Sequence, residues 1–346
     1  MTMKRLFRSP EKFEVIDLFT SLGRTYGFSL RGNGGQDKFL QTIKNSFDES
    51  LRNPMFLHGR HTQAMFSYVA ASLGLASLIK EEDAGEFFVT DPDLKIPDFH
   101  IVLLDASNFL VEVKNFRHDL RKPMKLKRGY LEALERYSRL VGIPLRFAIY
   151  WSQASLWTLV SLPHLPRQNG NGWIDMPKAM KINEMADLGD MQVGTTPPLV
   201  LRILTDPTKP RGVDDQGHVN FTIGKLEFYC GGLRIDSKEE QRMAHYFMLH
   251  GSWTGSEPRA HIIEGSLVHI DFEVNHPAPT SGQEFEILGY LSTMISRRFN
   301  DLTAPKGTIE RLVPASSPGS LGIVIPRDYK GKHLPLWCFV QEPNYE

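Results

Sequence analysis

The chain has 346 residues, enough for two domains with ordinary cores. Charged residues at 23% and hydrophobic ones at 41% fit a globular protein and exclude a disordered polyelectrolyte. Lys plus Arg and Asp plus Glu stand at 40 each, so any contact with nucleic acid must come from a local concentration of basic side chains. Two cysteines, Cys230 and Cys338, are too few for a zinc cluster or a disulfide framework and read as buried thiols in a reducing compartment. No stretch approaches the ~18 apolar residues of a membrane span, and the first residues carry no apolar run before a cleavage site. A cytoplasmic protein with no membrane partner is expected.

In chain order, residues 11–30 read as a helix, broken by the Gly-rich 31–35, and Phe39, Ile43 and Phe47 mark a second helix over 36–51. Gly-x-Gly-Gly here follows no strand and reads as a loop, not a phosphate cradle. The stripe Met65, Phe66, Val69 and Leu73 predicts a helix over 61–79, with Gln63 on a polar edge. Residues 86–89 read as a strand. Two further strands follow within 95–117, joined by the polar turn 105–108. Between residues 80 and 112 nine acids face two lysines. Between 115 and 146 nine basic residues face three acids. Inside that basic part Leu126, Tyr130, Leu131, Leu134, Tyr137 and Val141 follow helical spacing up to Gly142 and Pro144. Residues 145–151 and 156–162 are strands. The order describes a mixed α/β sheet flanked by helices.

The Pro-, Gly- and Asn-rich stretch 163–198 reads as a linker or surface excursion. Beyond it, 199–204, 219–230, 266–274, 321–325 and 334–340 read as strands. Ser237 and Glu240 form a capping box for a helix to about His250, and 283–300 reads as an amphipathic helix. This second part is an α+β domain without a motif that carries chemistry. The expected organisation is therefore an N-terminal helical extension (1–54), a mixed α/β core (55–165), a linker (166–195) and a C-terminal α+β domain (196–346).

Strand alternation places Glu112 and Lys114 on one face and Phe109, Val111 and Val113 on the other. Asp98 shares its face with His100. If the two strands pair antiparallel through the 105–108 turn, Asp98 arrives beside Glu112 and Lys114. Two carboxylates suit Mg2+, which takes oxygen ligands and acidifies bound water, and a lysine can orient that water and stabilise charge on a phosphate. Other acid–x–lysine triplets occur at Asp93–Lys95, Asp236–Lys238 and Asp328–Lys330, but none of them ends an apolar β run preceded by a Pro-Asp strand.

With Pro97-Asp98 and Glu112-Val113-Lys114 in that order of elements, the chain resembles the PD-(D/E)xK nuclease superfamily over about residues 55–160. The resemblance implies a restriction-endonuclease-like fold and a Mg2+-dependent endonuclease, a phosphodiesterase-type hydrolase, with Mn2+ able to substitute. It implies that Asp98 and Glu112 bind the metal and that Lys114 assists the water. Many members add a glutamate from the preceding helix. Here Gln63, or less simply Glu82, would have to fill that role. DNA is the expected partner, and a homodimer is open. The alternative is a catalytically inactive nuclease-like module that binds nucleic acid or a partner protein.

The run Arg117, Arg121, Lys122, Lys125, Lys127 and Arg128 directly follows the site. It can neutralise phosphates, which makes binding salt-dependent, or it can be a solvated face. Of the twelve histidines, the closest pairs, His58/His61 and His245/His250, lack His-Glu-x-x-His spacing, and zinc chemistry is not expected of the chain.

Overall fold

The computed structural model describes residues 3–5, 10–82, 88–90, 93–326 and 328–346. The N-terminal helices are α1 (Pro10–Tyr26) and α2 (Gly35–Arg52). The glycine-rich loop between them turns at Gly27 and Gly34, both with positive φ, and Phe19 packs on Phe28 and Phe39.

Helix α3 (Pro54–Leu73) starts earlier than its apolar stripe implied. Asn53 caps it by accepting the Phe56 N–H at 3.1 Å, and Pro54 occupies the first turn, where a missing N–H costs nothing. It also stops short of residue 79. Gly74, at φ 92°, closes the helix, and the next residues form β1 (Ala76–Glu81). Leu78 and Ile79 belong to that strand, paired with Val102 and Ile101 of β2 (Phe99–Leu103). Of the strand expected over 86–89, residues 86 and 87 lie outside the described residues, and Phe88 and Val89 are exposed coil.

Strand β3 (Asn108–Phe116) pairs antiparallel with β2, Phe99 opposite Val111, across the expected turn. A short β4 (Met124–Leu126) precedes α4 (Arg128–Val141), so Leu126 is not the first turn of that helix. Helix α4 crosses over to β5 (Leu145–Trp151), which runs parallel to β3, and β6 (Leu156–Ser161) returns antiparallel. The resulting five-stranded mixed sheet has the order β1-β2-β3-β5-β6.

Strand alternation splits β3 between two cores. Val111 and Val113 join Met65, Phe66 and Ile101 on the α3 side, whereas Leu110 and Phe116 join Leu131, Leu134 and Phe147 on the α4 side. Burying each of these side chains contributes about 1.5–3 kcal/mol before chain entropy is set against it.

The stretch read as a linker is built into the fold. It carries β7 (Arg167–Gln168), β8 (Asn171–Ile174), α5 (Met176–Lys181) and β9 (Gln192–Thr195). Strand β8 pairs with β4, and Ile174, Ala179 and Ile182 enter the α4-side core.

The remaining chain forms β10 (Leu199–Thr205), β11 (Ile223–Cys230), β12 (Leu233–Ile235), α6 (Lys238–His250), β13 (Thr254–Gly255), β14 (Arg259–Ile263) and β15 (Ser266–Asn275), then β16 (Glu286–Tyr290), α7 (Leu291–Thr303) and β17 (Leu336–Phe339). Ser237 caps α6 through the Glu240 N–H. The helix expected over 283–300 is instead strand β16, paired with β9, followed by α7. Residues 321–325 form no strand. Of the two thiols expected to be buried, Cys230 of β11 is, whereas Cys338 lies on the exposed strand end of β17. The region over residues 55–165 and the C-terminal region share one hydrophobic core, in which Phe299 of α7 packs on Tyr68 of α3. Trp157 Nε1 also donates to Ser296 Oγ at 2.9 Å. Among the described residues no helix is long and apolar enough to cross a membrane.

Candidate active site

The site lies where β2 begins, β3 ends and α3 and α4 approach the sheet from opposite faces. Asp98 immediately precedes β2. The register that sets Phe99 against Val111 carries its carboxylate to the Val113 N–H, which donates to Oδ2 at 2.7 Å. Gln63, from α3, donates through Nε2 to Oδ1 at 2.5 Å. Arg60, one turn earlier, donates to Gln63 Oε1 at 3.1 Å, so the glutamine amide is itself oriented.

Glu112 points to the α4 face. Its Oε1 accepts from Lys114 Nζ at 2.6 Å and from the Tyr130 hydroxyl. Lys114 Nζ also donates to the Tyr130 oxygen at 2.5 Å and lies 4.6 Å from that ring's centroid. The fold thus brings together Asp98, Glu112, Lys114 and Gln63.

Asp98 and Glu112 are only 7% and 3% exposed. Burial, and then the neighbouring Glu112 charge, push the Asp98 carboxyl up from its ordinary 3.8 to about 7. The Val113 N–H, Lys114 and Lys95 oppose that rise without cancelling it. Glu112 Oε2 is buried and has no hydrogen-bond partner among the described residues. A buried acceptor left unpaired is costly, and two adjacent buried carboxylates repel. Both costs fall when a hard cation with oxygen ligands sits between them, so the donor set fits a divalent ion such as Mg2+.

Glu82 does not join this constellation through its side chain. Tyr137 donates to its Oε1 at 2.8 Å and Lys80 to its Oε2 at 2.9 Å, while its backbone N–H donates to the Asp98 carbonyl at 2.9 Å. His100 turns to Asn108, its Nε2 lying 3.2 Å from Oδ1.

The basic run divides. Arg121 pairs with Asp119 and Arg128 with Glu132, both at 2.7 Å, and Lys125 lies over the Trp173 ring. Arg117, Lys122 and Lys127 are exposed, and Arg117 also lines a cavity of about 430 Å³ with His58, Thr62 and Asn115.

Two residues near the acids carried no role in the sequence reading beyond their position. Tyr130 bridges Glu112 and Lys114, and Lys95 acts on Asp98 while its Nζ stands 5.3 Å from the Tyr130 centroid. The alternation of β3 toward the following helix is the signal that points to Tyr130; Lys95 has none.

No family model matches the chain, and no curated protein matches it. Among solved structures it is similar to Hjc of Archaeoglobus fulgidus, a Holliday junction resolvase from an archaeal hyperthermophile. Identity is 22%, the match covers 26% of this chain and 75% of that chain, and the TM-score is 0.22. At so low a score the functional reading stands on the geometry of the site itself.

Proposed function

We propose that the chain is a metal-dependent endonuclease that hydrolyses phosphodiester bonds, with DNA the expected substrate and a restriction-endonuclease-like sheet as its scaffold. The observation that carries this reading is the buried Asp98–Glu112 pair, with one unpartnered carboxylate oxygen and a lysine 2.6 Å from the other oxygen of the same glutamate. Asp98 and Glu112 are the residues that would hold Mg2+, or Mn2+ in its place. Such an ion, when bound, supplies charge neutralisation at the phosphoryl oxygens and a more acidic water.

The chain's own residues do the positioning. Gln63 and the Val113 N–H fix both oxygens of Asp98, so that carboxylate arrives at its working orientation before substrate does. Glu112 and Tyr130 hold the Lys114 ammonium in place, where it can orient water and stabilise negative charge developing on the phosphate. Arg117, Lys122 and Lys127 offer positive charge to flanking phosphates.

The test is a cleavage assay with Mg2+ or Mn2+ on single-stranded, duplex and branched DNA and on RNA, comparing wild type with Lys114→Ala. Metal-dependent cutting that the substitution abolishes is the expected result. Cutting that survives unchanged in Lys114→Ala, or no cutting of any substrate, overturns the enzyme reading. Retained binding in the latter case identifies an inactive nucleic-acid-binding module.

A further inference from the structure

A second constellation lies far along the chain from the acids, on the β14–β15 hairpin. In this pair His261 stands directly opposite His269, and Asp271 follows two residues along β15 on the same face. The two imidazoles stack with centroids 4.1 Å apart and planes at 21°. His261 Nε2 lies 3.9 Å from Asp271 Oδ2, and His269 Nε2 lies 3.8 Å from Asp271 Oδ1. One ligand-capable atom from each of the three residues lies within 4.8 Å of the other two.

Three features set this apart from a chance surface cluster. His269 Nε2 is buried and has no hydrogen-bond partner among the described residues, although a buried polar nitrogen ordinarily finds one. Asp271 is held from the neighbouring strand β10, where Arg202 stands opposite it and donates from both Nε and a terminal nitrogen, at 2.7 and 2.8 Å. Metal-binding carboxylates are commonly held by such a partner, and each oxygen keeps a second lone pair for another contact. All three candidate ligands also sit on paired strands, which fixes their spacing more firmly than a loop would.

We propose that His261, His269 and Asp271 form a binding site for a transition-metal cation of the Zn2+ class. Two imidazoles and one carboxylate match that class, whereas Mg2+ and Ca2+ favour oxygen ligands alone. Zn–N and Zn–O bonds of ~2.0–2.2 Å set tetrahedral ligand separations at roughly 3.3 Å; reaching them from 3.9 Å to Oδ2 and 3.8 Å to Oδ1 requires the two stacked rings to turn out of their near-parallel arrangement, so that both nitrogens aim at one point. His261 is half exposed at 53%, so the fourth position faces solvent. Strand β14 is exposed along its whole length and pairs only with β15. A cation joining His261 to His269 and Asp271 clips this strand to the sheet. The site does not depend on the nuclease reading, since the two share no residue.

The test is titration of the full chain with Co2+ and Zn2+, read by visible absorption and by thermal melting, in wild type, His261→Ala, His269→Ala and Glu112→Gln. The expected result is a strong visible band from four-coordinate cobalt with nitrogen ligands, displaced by Zn2+, and a melting temperature raised by Zn2+. Both signals disappear in His261→Ala, whose side chain is more than half exposed and lies outside the buried core, and in His269→Ala, and both persist in Glu112→Gln. Zn2+ affinity in His261→Ala falls by at least the roughly 10- to 100-fold that residues merely supporting a ligand contribute. No band, a band that survives in His261→Ala, or a band lost only in Glu112→Gln overturns the proposal, the last by assigning the ion to the Asp98–Glu112 pair.

Discussion

The Tyr130 side chain touches both members of the acid–lysine pair. Its hydroxyl donates to Glu112 and accepts from Lys114, so removing it leaves the buried glutamate one donor poorer and the ammonium hydrogen-bonded to Glu112 without the tyrosine oxygen. Tyr130→Phe should lower cleavage about 10- to 100-fold, the range seen when a group that only supports a metal ligand is removed. The ring stays, so the melting temperature should change little. Steady-state cleavage together with a thermal melt checks this, and activity equal to wild type would reduce Tyr130 to packing. At this scale Asp98, Glu112 and Lys114 were legible because strand parity and a short turn determine which side chains meet. Tyr130 was visible only as a position. Whether its hydroxyl reaches Glu112 depends on where α4 starts and how it is rotated, and Leu126, counted as a helical residue, belongs to β4.

Elements were legible where local chemistry sets them and not where distant partners do. Helix α6 begins at the serine its capping box marks. Helix α7 begins at Leu291, after a strand that reads as helix by its apolar spacing, because β16 is claimed by β9. Its first turn is held from 102 residues away: Asp190 accepts the Ser292 N–H at 2.9 Å and the Ser292 hydroxyl at 2.5 Å. No local pattern announces such a cap. Burial pushes the Asp190 carboxyl up to about 6, and only the Ser292 donors and a backbone N–H offset it. Asp190→Ala strands both Ser292 donors in the interior and should destabilise the protein by about 1–3 kcal/mol. Urea denaturation measures this; a loss well below that range would mean water or a neighbour replaces the carboxylate.

The whole molecule turns on α7 lying against α3 and β6, which joins the region of the candidate site to the C-terminal sheet. Composition gave no hint of this, and the polar stretch 163–198 read as a connector although it buries Leu165, Ile174, Met185, Leu188 and Val193. Proline, glycine and asparagine mark the turns of that stretch. Its few apolar side chains find partners that only the tertiary fold supplies. One polar contact at the α3–α7 junction makes the joint sensitive to acid. His61 Nε2 lies 2.8 Å from Thr303 Oγ1, whose own hydroxyl is donated to the Phe299 carbonyl at 2.6 Å, so the imidazole is the donor. Burial, and then the nearby His58, hold the His61 pKa at about 4 against an ordinary 6.5. A depressed pKa means that the unfolded chain takes up this proton first. The stabilising contribution is therefore complete above pH 6.5 and is lost as the pH falls through about 4. His61→Gln keeps a donor for Thr303 but cannot titrate there. Urea denaturation of both proteins on either side of that window should show a steeper acid loss in wild type than in His61→Gln. Equal slopes would move the acid sensitivity to other groups.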